Sequence, residues 1–369
     1  MRKRRGLLVS LVIAVAGVGA AWIGSKFWKP LGGRATGPRL DRIRASPHWN
    51  EGKFRNLIRT NKLAPGSFWR MIYKQFAGHE IRNPLAPIPI NRLTARDVGA
   101  RASAGLRAIW IGHATVLADI DGMRVVTDPI WSERCSPLES VGPKRFFSPP
   151  IDLSEVGKVD AVVISHDHYD HLDMHTIQTL SRRGAVFFVP LGIGAHLERW
   201  DVPPSQIREL DWNERAQLGP LTFVALPARH YSGRGVTDSD ATLWASWAII
   251  GPSHRIYFSG DTGFFDGLRD IGASLGPFDL TLIKIGAYAK EWADIHIDPE
   301  EAVAVHEAVR GKVMLPIHWG TFNLAYHDWF EPAERLVKAG SRRITFVVPR
   351  PGEIVDPAHV GEVERWWQQ

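Results

Sequence analysis

Within nine positions the chain reads Ser165-His166-Asp167-His168-Tyr169-Asp170-His171-Leu172-Asp173, three histidines and three aspartates in one stretch. Imidazole and carboxylate are the donors that first-row divalent ions accept when no thiolate is present. The single cysteine, Cys135, excludes an internal disulfide and a cysteine-based zinc site, so any metal is held by nitrogen and oxygen. His166 and His168 stand two apart, and a loop leaving a strand can turn both toward one ion; Asp170 and His171 are adjacent and can serve a second. A chance surface cluster or a hydrogen-bonded turn would use the same residue types. The apolar run 159–164, which leads straight into the stretch, favours a site at the end of a strand.

Positioning such side chains takes a sheet. From about residue 107 the chain turns to short apolar runs separated by turn signals, alternating later with helical stretches, which predicts a mixed α/β body. Val116, Ala118 and Ile120 alternate up to Asp121-Gly122, and Met123, Val125 and Val126 follow, a hairpin pattern. Further strand-like runs are 159–164, 185–189, 221–226, 243–250, 256–258, 280–285 and 313–315. The clearest helix starts at Asp298, a good N-cap, with Pro299 in the first position and Glu301 three residues after the cap. No short-period repeat indicates a solenoid or propeller.

At 369 residues, 44% hydrophobic and 23% charged, the chain is globular in composition; wholesale disorder, collagen and a multi-span membrane protein are excluded. The net charge of +6 is unevenly spread: bases exceed acids by six in residues 1–30 and by eight in 31–75, while acids exceed bases by eight in 76–369. An acidic main body is a poor host for nucleic acid, whereas a basic segment beside an apolar one suits an anionic membrane surface. Residues 1–30 read as an export or anchoring segment: a basic run at Arg2 to Arg5, an apolar stretch 7–23, then Lys26 and Lys29. Both an uncleaved anchor and a cleaved signal fit; Arg4-Arg5 also permits a twin-arginine signal. The basic cluster keeps the N-terminus inside and places the body on the exported side. Residues 31–104 form a basic, aromatic- and Pro-rich extension packing on the body, which occupies 105–369. The extension's Trp49, Phe54, Phe68, Trp69, Tyr73 and Phe76 are expected to be mostly buried against the body, since exposed apolar patches are uncommon; a lipid-facing or substrate-shaping role is the other reading.

The pattern His-x-His-x-Asp-His resembles the signature of the metallo-β-lactamase superfamily, which implies an αββα four-layer sandwich with one or two metals at one edge of the paired sheets. That superfamily uses a later histidine, a bridging aspartate and a last histidine. Ala228-Arg229-His230, Ser259-Gly260-Asp261-Thr262-Gly263 and Pro316-Ile317-His318-Trp319-Gly320 supply them in order, each just beyond an apolar run. Over residues 105–340 the blocks Val141-Gly142-Pro143-Lys144-Arg145-Phe146, Leu243-Trp244-Ala245-Ser246-Trp247, Gly276-Pro277-Phe278-Asp279-Leu280, Ile285-Gly286-Ala287-Tyr288 and His296-Ile297-Asp298-Pro299-Glu300-Glu301-Ala302 resemble the N-acyl-phosphatidylethanolamine-hydrolysing phospholipase D family. The resemblance implies a phosphodiesterase with two zinc ions that releases N-acylethanolamine and phosphatidic acid from a membrane phospholipid. His166, His168 and His230 would hold one zinc, Asp170, His171 and His318 the other, and Asp261 would bridge. Iron or manganese accept the same donors. Residues 1–60 match nothing in that family.

Two such ions share a water, lower its pKa and neutralise the charge building on phosphorus, so that a bridging hydroxide attacks in line. His296 is the candidate for phosphate contact or proton donation, a placement that rests on the resemblance. Asp128 and His113 are expected to orient ligand histidines, with turn stabilisation an equal reading for Asp128. Tyr288, Trp292 and the aromatics of residues 49–76 could line an acyl groove or simply pack in the core, and the fifteen tryptophans exceed what a core of this size requires. Two other functions fit the same residues: a dinuclear hydrolase of a small phosphate ester or lactone, and a non-catalytic metal-binding envelope protein, which turnover itself distinguishes.

Overall fold

In a computed structural model of the chain, residues 28–99 and 105–368 are described. The stretch 7–23, read above as an anchor or signal, lies outside them; among the described residues no helix is long and apolar enough to cross a membrane. The extension contributes helix α1 (Gly37–Ala45), a minimal hairpin of β1 (Trp49–Asn50) and β2 (Lys53–Phe54), and helices α2 (Ser67–Ala77) and α3 (Ala95–Val98). In the first half of the body come β3 (Leu106–Gly112), β4 (Thr115–Ile120), β5 (Met123–Thr127), β6 (Ala161–Val163), α4 (Met174–Arg182), β7 (Val186–Pro190), α5 (Gly194–Arg199) and β8 (Ile207–Leu210). The second half runs through β9 (Arg215–Leu218), β10 (Leu221–Leu226), β11 (Ser246–Ile250), β12 (Arg255–Phe258), α6 (Gly267–Leu275), β13 (Phe278–Lys284), α7 (Pro299–Ala308), β14 (Gly311–Ile317), α8 (Glu331–Gly340), β15 (Thr345–Phe346) and β16 (Ile354–Val355).

The strands form two mixed sheets, β16-β3-β4-β5-β6-β7-β8 and β15-β14-β13-β12-β11-β10-β9. Each sheet is hydrophobic on both faces, which is what places it in the middle of four layers. Along β4, Val116, Ala118 and Ile120 enter the core between the sheets while Leu117 turns to the outer core under α4 and α5; on β6, Ala161 and Val163 point one way and Val162 the other. This is the αββα sandwich the resemblance implied. Asp121 and Gly122 both adopt positive φ, 47° and 84°, the tight turn that joins β4 to β5 as predicted. The strand expected over 243–250 begins only at Ser246. Leu243 donates its N–H to Leu191 and Ala245 donates to Ser165, so these residues pair with the loops of the other sheet rather than with a ladder neighbour.

Helix α7 starts as the sequence indicates: Glu301 N donates to Asp298 Oδ1 at 2.9 Å and Asp298 N donates to Glu301 Oε2 at 3.1 Å. On its inner face, buried His306 sits 2.8 Å from Thr281 Oγ1 of β13. Burial pushes His306 down from its ordinary 6.5 to about 4. The folded value is the lower one, so as pH falls below 6.5 the unfolded chain takes the proton first, and stability drains between that pH and about 4. Between pH 7.5 and 5 the wild type is expected to lose roughly 1–2 kcal/mol more unfolding free energy than His306→Gln, which keeps a polar group for Thr281 but does not titrate. Urea titrations at the two pH values measure the difference; equal losses would remove His306 as its source.

Candidate metal centre

The sandwich brings the carboxyl ends of β6, β10, β12 and β14 to one edge, the place where sheets of this type hold ligands. The loop after β6 is fixed by two of its three aspartates. Asp167 Oδ1 accepts from Gly233 N at 2.7 Å, its Oδ2 from Thr242 Oγ1 at 2.8 Å, and its backbone carbonyl from Arg234 Nη1 at 2.6 Å. Asp173 caps α4 and holds Ser132 and Thr176. Only Asp170 is left to face the site.

Two groups of donor atoms converge there. His166 Nε2 lies 2.8 Å from His168 Nδ1, which lies 3.4 Å from His230 Nε2. In the second group, His171 Nε2 and His318 Nε2 are 3.1 Å apart and lie 3.3 and 3.4 Å from Asp170 Oδ2. Asp261 stands between the groups, its Oδ2 3.4 Å from His171 Nε2 and 3.8 Å from His230 Nε2, its Oδ1 3.1 Å from His318 Nε2. Donors of a tetrahedral ion at about 2.0–2.1 Å stand about 3.3 Å apart, so these spacings fit a metal. Asp261 Oδ1 is buried without a hydrogen bond, an acceptor that a cation would satisfy.

Charge agrees with geometry. Burial, then the neighbouring imidazoles, push His166 well below the ordinary histidine range; burial does the same for His230 despite Asp261. Both are neutral at pH 7, the form that binds metal. Burial would raise Asp261, but His318 and Lys284 outweigh it and hold the carboxyl well below its usual value. His171 goes the other way: burial lowers it, yet Asp170 and Asp261 draw it well above the usual range. The pocket therefore attracts positive charge where an ion would sit.

Partners behind the donors set their orientation. His171 Nδ1 lies 2.6 Å from Asp128 Oδ2, whose carboxylate also accepts from Ser165 Oγ at 2.5 Å and, through Oδ1, from Ser165 N at 2.7 Å. Asp128 thus aims the His171 ring at the donor cluster and secures the turn at once. His230 Nδ1 donates to the Ile295 carbonyl at 3.1 Å, leaving Nε2 for the site. The His113 ring lies 3.0 Å from Asp170 Oδ2 and packs on the His318 ring with centroids 4.0 Å apart, while its carbonyl accepts from His318 N at 2.9 Å. The close β3–β4 turn aims it that way, with His113 at φ 53°. Asp128 and His318 also take positive φ, 32° and 63°, so backbone strain gathers around the site.

Four features complete the site, and the sequence reading named neither Lys284 nor Asn56. Lys284, the last residue of β13, is fully buried, with Nζ donating to His296 Nδ1 and lying 3.8 Å from Asp261 Oδ1. A single lysine in the apolar run 280–285 was its signal. Asn56 of the extension brackets the candidate donor His230: its Nδ2 donates to the His230 carbonyl at 2.8 Å, and its Oδ1 accepts from His230 N at 3.0 Å. The extension also walls the site, because Lys62, Leu63 and Met71 line a cavity of about 530 Å³ together with His168, Asp170, Asp261, His296, His318 and Trp292. Tyr288 does not line it, being turned away to donate to Glu331 Oε1 at 2.6 Å. Fourth, the tryptophans are largely core: Trp110, Trp200, Trp244, Trp247, Trp366 and Trp367 are fully buried, and Trp110 stacks on Trp319, next to His318, at 5.5 Å.

Asn56→Ala leaves the His230 N–H and carbonyl buried and unpaired. It is expected to weaken metal retention about tenfold, measured by competition with a chelator, with the fold intact by circular dichroism. Unchanged retention would make Asn56 a tether of the extension only.

The αββα sandwich with this edge of histidines and aspartates is a metallo-hydrolase of the β-lactamase superfamily, and residues 123–319 match the Beta-lactamase superfamily domain. An uncharacterized protein of Mycobacterium tuberculosis is 48% identical over 330 residues, 88% of each chain. The N-acyl-phosphatidylethanolamine-hydrolyzing phospholipase D 1 of Caenorhabditis elegans is 39% identical over 285 residues, 72% of this chain and 80% of its own. Among solved structures, a metallo hydrolase of Ignicoccus hospitalis superposes with a TM-score of 0.51 at 25% identity, over 68% of this chain and 97% of its own. Within the superfamily, the chain belongs to the N-acyl-phosphatidylethanolamine-hydrolysing phospholipase D family.

Proposed function

We propose that the chain is a zinc-dependent phosphodiesterase that hydrolyses N-acyl-phosphatidylethanolamines to N-acylethanolamine and phosphatidic acid. The observation that carries this reading is Asp261, a buried carboxylate shared by two donor groups at the floor of a cavity with an apolar wall. His166, His168 and His230 would hold one zinc and Asp170, His171 and His318 a second, with Asp261 common to both. When bound, such ions supply Lewis acidity toward a phosphoryl oxygen and bring the pKa of water toward neutrality.

The chain's own residues do the rest. Lys284, an ammonium donor, occupies His296 Nδ1, so the ring hydrogen of His296 sits on Nε2, which faces the cavity 3.5 Å from Asp261 Oδ2. From there it can donate to a phosphoryl oxygen or a departing alkoxide. Leu63, Met71, Trp292, Ile295 and Leu324 give the cavity apolar walls suited to the glycerol and acyl portions of a lipid.

Purified protein with its metal counted is tested against N-acyl-phosphatidylethanolamine in mixed micelles, a soluble phosphodiester and a lactone. Preferential release of N-acylethanolamine from the lipid is expected, with about two zinc ions per chain. Faster turnover of the lactone or the soluble ester would replace the lipid assignment, and full metal with no turnover of any substrate would favour a binding protein.

A further inference from the structure

Helix α2 is built inside out. At 100° per residue, Phe68, Ile72, Phe76, Trp69 and Tyr73 share an arc of about 140°, a stripe that a helix ordinarily turns to the core. Here that stripe faces solvent: Phe68 is 63% exposed, Trp69 76%, Tyr73 64% and Phe76 84%. Their burial was expected from the sequence, and the structure corrects it. The polar side of the helix faces the body instead. Lys74 Nζ donates to Glu291 Oε2 at 3.1 Å, Arg70 Nε lies 3.6 Å from Glu291 Oε1, and Glu291 is buried. Scattered exposed apolar residues need no explanation, but five on one arc of one short helix form a patch, and Leu57, Ile58 and Leu63 are exposed just before it in the chain.

Position and charge identify what covers it. Leu63 and Met71, on either side of the helix start, line the metal cavity, so the patch borders the cavity mouth. Of the bases in the segment 31–75, Arg39, Arg42, Lys62, Arg70 and Lys74 pair with acids of the body and Arg55 pairs with Glu51, while Arg44, Lys53 and Arg59 stay exposed against the exposed acid Asp41, so the segment still shows a basic excess to solvent. Two copies meeting through this face would bring like charges together, whereas an anionic bilayer attracts them. Eleven residues make a helix about 16 Å long, too short to span but right to lie in the headgroup plane with aromatic side chains beneath it.

We infer that α2 is a docking helix that inserts Phe68, Trp69, Ile72, Tyr73 and Phe76 into an anionic lipid surface and so seats the mouth of the metal cavity on the bilayer. This rests on the reading of the site as one that draws an acylated phospholipid from a membrane.

The experiment has two arms, both on the full chain. In the first, Cys135→Ser is combined with Ile72→Cys, or with Ala358→Cys as a control on another surface, and the new thiol carries an environment-sensitive fluorophore. On phosphatidylglycerol vesicles the label at 72 is expected to shift to the blue and to be quenched by brominated acyl chains, while the label at 358 does neither. In the second arm, Phe68→Ser, Trp69→Ser, Ile72→Ser and Phe76→Ser are combined. Turnover of lipid in anionic vesicles is expected to fall at least tenfold, with a soluble phosphodiester hydrolysed within twofold of wild type. A label at 72 that stays in water on vesicles overturns the inference, as does one already shifted without lipid; the latter would mean cover by this chain's own residues or, if concentration-dependent, by a second copy. Equal losses on both substrates also overturn it. If wild type hydrolyses neither substrate, the phosphodiesterase reading fails, and the labelled chain still decides where α2 lies.

Discussion

Asp261→Asn is expected to cut turnover by at least about a thousandfold while leaving the fold intact. The carboxylate stands between both groups of histidines, and its Oδ1 is buried without a hydrogen bond. Asparagine keeps the shape but gives up the charge that holds cations in common and replaces one acceptor oxygen with a donor amide. Metal content is therefore expected to fall along with kcat, and the metal-free protein to unfold at a somewhat lower temperature, since Lys284, buried 3.8 Å from Asp261 Oδ1, loses its acid partner. The placement depends on Gly260: at φ +52° a Cβ there would stand 2.4 Å from Ser165 Cβ, so the residue before Asp261 must be glycine for the carboxylate to reach the site. Metal analysis beside steady-state kinetics checks both expectations. A variant that keeps its full metal and a tenth or more of its activity would show that Asp261 is not shared between the ions.

Lys284→Met is expected to lower kcat about a hundredfold with KM nearly unchanged. Methionine fills a similar volume, so the loss reports the ammonium group rather than a cavity. Burial pushes Lys284 down to about 8 even with Asp261 drawing it up, which leaves it mainly protonated at pH 7. Its donation to His296 Nδ1 assigns the ring hydrogen to Nε2; without it either tautomer is open, and Nε2 no longer has to be the donor. Because Lys284 acts through His296, the two changes should not add: in a His296→Asn background, Lys284→Met is expected to cost less than threefold. Additive losses would make Lys284 an independent contact with substrate or with Asp261.

How much of this was legible in the sequence depended on how local each feature is. The His-x-His-x-Asp-His stretch, the Asp121-Gly122 turn and the Asp298 to Glu301 cap each depend on a few consecutive residues, and each stands where it was expected. The later donors His230, Asp261 and His318 were reached through the resemblance, with the apolar run ahead of each as support, and the sheets do bring those ends together. Features that depend on distant packing were not legible. Residues 243–245 carry strand-forming side chains, but their N–H groups pair with loops of the other sheet. Asn56 is an ordinary polar residue until it meets His230, 174 positions away. Lys284 could have been flagged as the charge in a buried strand, though nothing local says that it meets His296. Helix α2 was misread because burial of aromatics is the usual rule; its periodicity was visible, but the side turned toward the body is set by Glu291.

The most direct test of the central claim is hydrolysis of N-acyl-phosphatidylethanolamine in mixed micelles made with ¹⁸O-water, both products being weighed by mass spectrometry and metal counted in the same sample. Attack of water on phosphorus places one ¹⁸O in the phosphatidic acid and none in the N-acylethanolamine, which is the expected result with about two zinc ions per chain. Intact lipid with full metal, or label in the N-acylethanolamine, would contradict it.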